Sequence, residues 1–219
     1  MRKPAEFVLQ VIAVVVLVMV MAGGPFAKAY AQNILEEWDS IKAPPPPTDK
    51  IKEVTVDPKK TAVISMDFNS KRCTPQGRVR CFNVLPRVEK VLAQARAKGM
   101  LVVHTLTSSM KPEDLVTSVG PKPGEPVLRG RGDKFSGNDL EKMLKDKGID
   151  TVILMGTSAN SAVLYTAFGA VQRGFTPVVP IDTMPADTAY QEQFSIWQIA
   201  NGSQLDDHAR LTRTDMLKF

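Results

Sequence analysis

The sequence predicts a doubly wound, mostly parallel α/β sheet with helices on both faces, a three-layer Rossmann-like arrangement, and three observations carry that prediction. Short apolar runs recur along the chain without polar alternation, at Thr61–Met66, Met100–Leu106 and Val152–Met155. Strands buried on both faces read this way. Between them lie segments with apolar residues at helical spacing, closed by Gly99, Gly148 and Gly174, since glycine adopts the left-handed conformation that ends a helix. The resulting order, β-α-β-β-α-β-α-β-α-β, alternates strands with crossover segments as parallel sheets require.

Composition bounds the answer. With 219 residues and 43% hydrophobic content the chain can bury one sizeable core and is short for two. Its formal charge is +5, but Arg2, Lys3 and Lys28 against Glu6 fall in a segment expected to be removed, leaving 25 basic and 22 acidic residues. Aromatic content is 6% and no basic run is interleaved with aromatics, so the composition argues against nucleic acid as a partner.

Residues 1–31 read as a cleavable export signal: Arg2 and Lys3, an apolar stretch from Phe7 to Ala22, and Ala29-Tyr30-Ala31 as the small-x-small cleavage site. The apolar stretch is short for a bilayer of about 30 Å, which favours cleavage after Ala31 over a membrane anchor as the alternative. The expected location is periplasmic or secreted, with no membrane association after cleavage. Residues 32–58 are polar and contain Pro44-Pro45-Pro46-Pro47, a lead or spacer that favours extended polyproline geometry; Ile34–Trp38 reads alternatively as a short amphipathic helix that docks on the domain or on a neighbouring subunit. The folded domain is expected over 59–219.

Within that domain, Thr61–Met66 is the first strand and Asp67 sits at its carboxyl end, where open α/β sheets place ligands. Asn69 follows in the loop. Cys73 and Cys81 are the whole cysteine complement, and in an oxidising compartment the simplest reading is a disulfide closing that loop, against two free thiols. A helix is expected from about Val84, with Pro86 in its first turn, to Gly99. The next strand carries His104, which reads first as a hydrogen-bonded core residue. A loop rich in Pro and Gly spans Lys111–Pro126, and a short strand ends at Arg129. The glycine-rich basic turn Gly130–Gly137 follows, with Arg129, Arg131 and Lys134 as candidates to face Asp67. A helix from about Asn138 ends at Gly148.

Thr151–Gly174 then reads as strand, tight turn and helix. Thr157, Ser158 and Asn160 are small polar residues suited to a helix start. Ser161 and Ala162 fall where backbone N–H groups converge, a place that favours developing negative charge. A strand at Phe175–Ile181, a helix at Ala186–Asn201 and an edge strand at Ala209–Thr212 complete the domain. With two histidines in the chain and no second cysteine pair, the residues give no metal site.

The sequence resembles the isochorismatase-like (cysteine hydrolase) superfamily from about Lys59 onward. The resemblance is carried by Met66-Asp67-Phe68-Asn69, by the basic residue ahead of the helix start between Arg129 and Leu140, and by Gly156, Val163, Thr166, Ala167 and Gly174. It implies an Asp, Lys, Cys triad that hydrolyses amides, ureas and related C–N compounds of small molecules, or a vinyl ether, without a cofactor, and it implies a homo-oligomer; the function expected of this chain is that of an exported hydrolase of C–N (amide, imide or urea-type) or ester bonds. Asp67 matches the acid. By spacing the lysine position falls on Arg129, with Lys134 five residues on as a substitute, and the nucleophile position falls on Ala162, so the resemblance implies a divergent member. Substrate contacts are expected from Asn69, Thr157 and Asn160. Three routes stay open: attack by Ser161; activation of water by Asp67 and a basic residue, with the Ser161 and Ala162 amides holding the oxyanion; or binding without chemistry.

Overall fold

The computed structural model describes residues 33–219, so the expected export segment 1–31 lies outside the described residues. The chain divides into two units, with the boundary after Pro44. In the first, α1 (Ile34–Glu37) is capped by Asn33, whose side-chain oxygen accepts the N–H groups of Leu35 and Glu36; Ile34, Leu35 and Trp38 are exposed. The second unit begins at Pro45. Here β1 (Val54–Thr55) pairs in parallel with β8 (Leu217–Lys218), Lys52 N donates to the Leu211 carbonyl at 3.1 Å, and Val56 is buried. Backbone pairing with residues 211–218, together with the packing of Val54 and Val56 on the core, folds 50–56 into the domain.

The main sheet has six parallel strands: β2 (Thr61–Met66), β3 (Leu101–Leu106), β4 (Val127–Arg129), β5 (Thr151–Gly156), β6 (Thr176–Pro180) and β7 (Arg210–Thr212), in the spatial order β4-β3-β2-β5-β6-β7. The chain moves outward from β2 to β4, returns to β5, and moves outward the other way. The order therefore reverses between β2 and β5, and a crevice forms at the carboxyl ends of strands flanking such a reversal.

Alternation along the central strands feeds two cores. Val63, Val102, Ile153 and Met155 pack with Val88, Val91, Leu92 and Ala95 of α2 (Val79–Ala97) on one face. Ala62, Ile64, Val152 and Leu154 pack on the other face with α3 (Leu140–Asp146), α4 (Leu164–Gln172) and α5 (Ala189–Asn201). Each fully buried aliphatic side chain contributes about 1.5–3 kcal/mol. The helix expected from Val84 starts instead at Val79, with Pro86 inside it. Two tethers hold the added turn: the Cys73–Cys81 disulfide and the Arg80–Glu192 ion pair.

Gly156 shows why the central turn needs glycine. Its φ is +153°, and a Cβ there would lie 2.5 Å from both the Cβ and the carbonyl oxygen of Met66 on the neighbouring strand. Only a residue without a side chain lets β5 end this close to β2.

Candidate active site

Asp67 leaves β2 in the left-handed region, φ +57°, a conformation costing a non-glycine residue on the order of 1 kcal/mol. Its N–H donates to the Thr105 carbonyl at 3.2 Å, and Thr105 Oγ1 donates to Oδ1 at 2.9 Å. Lys134 Nζ donates to Oδ2 at 2.5 Å. Both charged side chains are buried, Asp67 at 6% exposure and Lys134 at 1%. Burial raises the Asp67 pKa above the ordinary carboxylate value; the Lys134 charge and the hydrogen bonds from Lys134 and Thr105 offset part of that rise.

The loop after β4 is built to deliver Lys134. Its N–H donates to Thr166 Oγ1 of α4 at 3.0 Å, and its carbonyl accepts from Asn138 Nδ2 at 3.0 Å. The next residue, Phe135, is buried and stacks on Phe175 with ring centroids 5.5 Å apart. Arg173 lies over the Phe135 ring at 5.0 Å. The lysine is thus flanked by fixed points.

Arg129 is placed elsewhere. Its guanidinium donates to the carbonyls of Thr107, Ser108 and Met110, at 2.6 Å for the last, and fastens the 107–110 loop. Lys134, not Arg129, supplies the cation beside Asp67.

The pair lies in a cavity of about 460 Å³, whose lining includes Asn69, Thr157, Ser158, Ser161 and Ala162, a size suited to a small ligand. Thr157 N donates to the Met66 carbonyl at 3.0 Å, and Thr157 Oγ1 accepts from Arg78 Nη1 at 2.8 Å. Residues 159–163 form one wide helical turn in which Val163 N donates to the Ser158 carbonyl at 3.2 Å. Ser161 N donates to the same carbonyl at 3.1 Å, so this amide, expected to be free for an oxyanion, is engaged. Asn160 is not brought to Asp67; it lines a separate cavity with Leu164, Phe168 and Phe194.

Cys73 and Cys81 are joined in a disulfide, with Cα atoms 4.9 Å apart. Cys73 lines the cavity, yet neither cysteine is a free thiol. Closing a loop of this length stabilises a fold by roughly 2–3 kcal/mol. Urea unfolding of a Cys73→Ser/Cys81→Ser variant should show a loss of that size relative to the oxidised protein.

His104 is buried on β3 and bonds Glu125 Oε2 through Nε2 at 2.9 Å, while its Nδ1 is buried with no partner among the described residues. Arg96 holds Glu125 with two hydrogen bonds, at 2.7 and 2.9 Å. None of the three lines the Asp67 cavity. Burial lowers the His104 pKa, partly offset by Glu125. For Glu125 burial acts upward, but the bonds from Arg96, Lys122 N and His104 outweigh it and bring the pKa from 4.5 down to about 2. Both depressed values act in the same direction, because the unfolded chain binds these protons more readily than the folded one. The stability from the Glu125 contacts is complete above pH 4.5 and is lost as pH falls toward 2, while His104 adds a loss that begins below its unfolded value of 6.5. A Glu125→Gln/His104→Gln variant should show a flatter urea midpoint between pH 7 and pH 3 than the wild type, beyond any uniform destabilisation.

Among the described residues no group of three or more His, Cys, Asp or Glu side chains could hold a metal ion, and no helix is long and apolar enough to cross a membrane. Sequence reasoning missed Thr105, although its register opposite Met66 on a buried strand marks it as a polar residue needing a partner. It also missed Arg72 and Arg78, which lie beside and within the disulfide loop and line the cavity.

A parallel sheet that reverses order between β2 and β5, with a buried acid and lysine over the reversal, places a ligand-sized crevice at the switch point. The isochorismatase domain model matches residues 61–210, and the chain belongs to the isochorismatase family. It is 26% identical over 171 residues to N-carbamoylsarcosine amidase of Arthrobacter sp, covering 64% of this chain and 65% of that protein. It is 30% identical over 149 residues to maleamate amidohydrolase of Pseudomonas putida, covering 55% of this chain and 70% of that protein. The chain thus spans just under two thirds of the first of these curated relatives. Among solved structures, an isochorismatase family protein from Desulfovibrio vulgaris superposes with a TM-score of 0.64 at 20% identity, covering 71% of this chain and 95% of that one. N-carbamoylsarcosine amidase from Thermoplasma acidophilum superposes at 0.60 with 25% identity, covering 71% of this chain and 97% of that one.

Proposed function

We propose that this chain is an exported hydrolase of small amides that activates water in place of a protein thiol. The observation that carries the reading is the Lys134–Asp67 pair, 2.5 Å apart and almost fully buried, on the wall of a ligand-sized cavity. Removing two charges from water costs several kcal/mol per ion before their attraction is counted, and such pairs cluster where chemistry is done. Two relatives named as an amidase and an amidohydrolase support the bond type.

The nucleophile is the point of departure. Both cysteines of the chain are in the disulfide, and Ala162 takes the place where the family resemblance puts the attacking thiol. Ser161 lines the cavity but has no hydrogen bond to Asp67 or Lys134, and a serine needs a base within reach to lose its proton. Water meets the requirement better. Asp67 takes a proton from water, and the hydroxide attacks the amide carbon to give a tetrahedral intermediate whose oxyanion faces the Lys134 ammonium. The proton passes from Asp67 to the amide nitrogen, the C–N bond breaks, and a carboxylic acid and ammonia leave. A base with raised proton affinity suits this role. A second reading, binding without turnover, draws support from the absence of a free thiol.

Export to an oxidising compartment belongs to the same proposal and is supported by the disulfide. The test is a panel of primary amides assayed for ammonia, with intact-protein mass spectrometry during turnover. Ammonia without an acyl adduct, and a Ser161→Ala variant that keeps most of its turnover, are expected. An adduct on Ser161 points instead to serine attack, and ligand-induced thermal stabilisation without ammonia to the binding reading.

A further inference from the structure

We propose that the ligand of this cavity carries a carboxylate at the end remote from the amide, bound by Arg72 and Arg131; the inference rests on the cavity being the amide site. Four cations line the cavity, Arg72, Arg78, Arg131 and Lys134, against one acid, Asp67. Lys134 is committed to Asp67. Arg78 is committed to Asp187 Oδ1, at 2.6 Å, and to Thr157. Arg72 and Arg131 have no side-chain hydrogen bond or ion pair among the described residues. Every other described arginine holds a carboxylate or a carbonyl oxygen. The two unpartnered guanidiniums of the described chain therefore line one cavity.

Both stand on fixed backbone. Arg72 precedes Cys73, which is tied to Cys81 at the head of α2, and the Arg72 carbonyl accepts the N–H groups of Thr74, at 2.9 Å, and Arg78, at 2.6 Å. Arg131 lies between Gly130 and Gly132. A Cβ on the first would sit 3.2 Å from Lys134 Cα, and one on the second 2.7 Å from the Tyr165 ring. A cation whose backbone is already placed loses less freedom on binding, and a guanidinium fork matches a carboxylate. The exposures give the ligand a direction. Asp67 and Lys134 are buried while Arg72 and Arg131 are exposed, so the reacting amide points inward and the carboxylate lies at the mouth.

Isothermal titration with succinamate, which has an amide and a carboxylate, and with succinamide, its neutral counterpart, tests this on the full chain. The wild type should bind succinamate at least about tenfold more tightly, with the preference eroded by about 0.5 M salt, as expected of an exposed charge contact. Arg72→Gln/Arg131→Gln should bind both compounds equally, at about the wild-type affinity for succinamide. An unchanged melting temperature is expected for this variant, because neither side chain has a partner to lose. Equal binding of the two amides by the wild type, or a preference that survives the double substitution, overturns the carboxylate inference and leaves the amide site standing. Failure of both amides to bind the wild type overturns the inference and the amide site together.

Discussion

Lys134→Met should destabilise the protein by about 3–5 kcal/mol and abolish ligand binding in the Asp67 cavity. Removing one partner of a buried ion pair leaves the other charge without compensation, and losses of that size are typical. Asp67 is 6% exposed and its remaining side-chain partner is Thr105, so the carboxylate of the variant must be neutralised by a proton or lie unpaired. The variant's stability should therefore improve as pH falls from 7 toward 5, opposite to the trend set by Glu125 and His104. Adding Asp67→Asn to Lys134→Met should recover part of the loss, because the pair is then replaced by two uncharged groups. Urea unfolding of the two single variants, the double variant and the wild type gives the coupling directly. Additive losses would show that the pair carries no special energy.

Asp67→Asn should lower amide turnover by about 10²–10⁴-fold, the usual contribution of a positioned general base. The asparagine keeps the shape and can still accept from Thr105, but it cannot take a proton from water. In the wild type, turnover should fall on acidification at a pH above the ordinary carboxylate range, because burial raises the Asp67 pKa and the base must be ionised to act. The residual rate of the asparagine variant should not show that inflection. A variant that folds and retains the wild-type rate and pH profile removes Asp67 from the chemistry.

The central architecture was legible because buried parallel strands have a plain signature. Thr61–Met66 and Thr151–Gly156 are apolar runs that stop at Asp67 and Thr157, and these are the ends that meet in the crevice. Asp67 could be picked out because it is the first polar side chain after such a run. The choice between Arg129 and Lys134 was not legible. The β4 strand has three residues, too few to set a period, and the cation that arrives is decided by contacts distant in sequence, Phe135 on Phe175 and Lys134 N on Thr166. The same holds for Val54–Thr55, a two-residue strand whose partner is near the other end of the chain. Asn160 was misplaced for a local reason. In the wide turn over Ala159–Val163 consecutive side chains point in different directions, so Ser161 lines the Asp67 cavity and its neighbour Asn160 lines the other.

The cavity combines features that sequence alone kept separate. An acid from the end of β2, a lysine from the loop after β4 and the turn after β5 converge on one side of the sheet. The disulfide loop adds arginines to the same wall. Two of these groups have a structural cost: a positive φ at Asp67 and a buried charge at Lys134. Costs concentrated at one crevice are characteristic of a site that does something other than hold the fold together.

Thiol-independent amide hydrolysis is the core of this account, and ammonia release from succinamate in the presence of excess 4-vinylpyridine, a thiol alkylator with no amide of its own, tests it most directly. The oxidised wild-type protein should release ammonia at the same rate with and without the alkylating agent. No ammonia from the folded protein, or a rate abolished by alkylation, would contradict it.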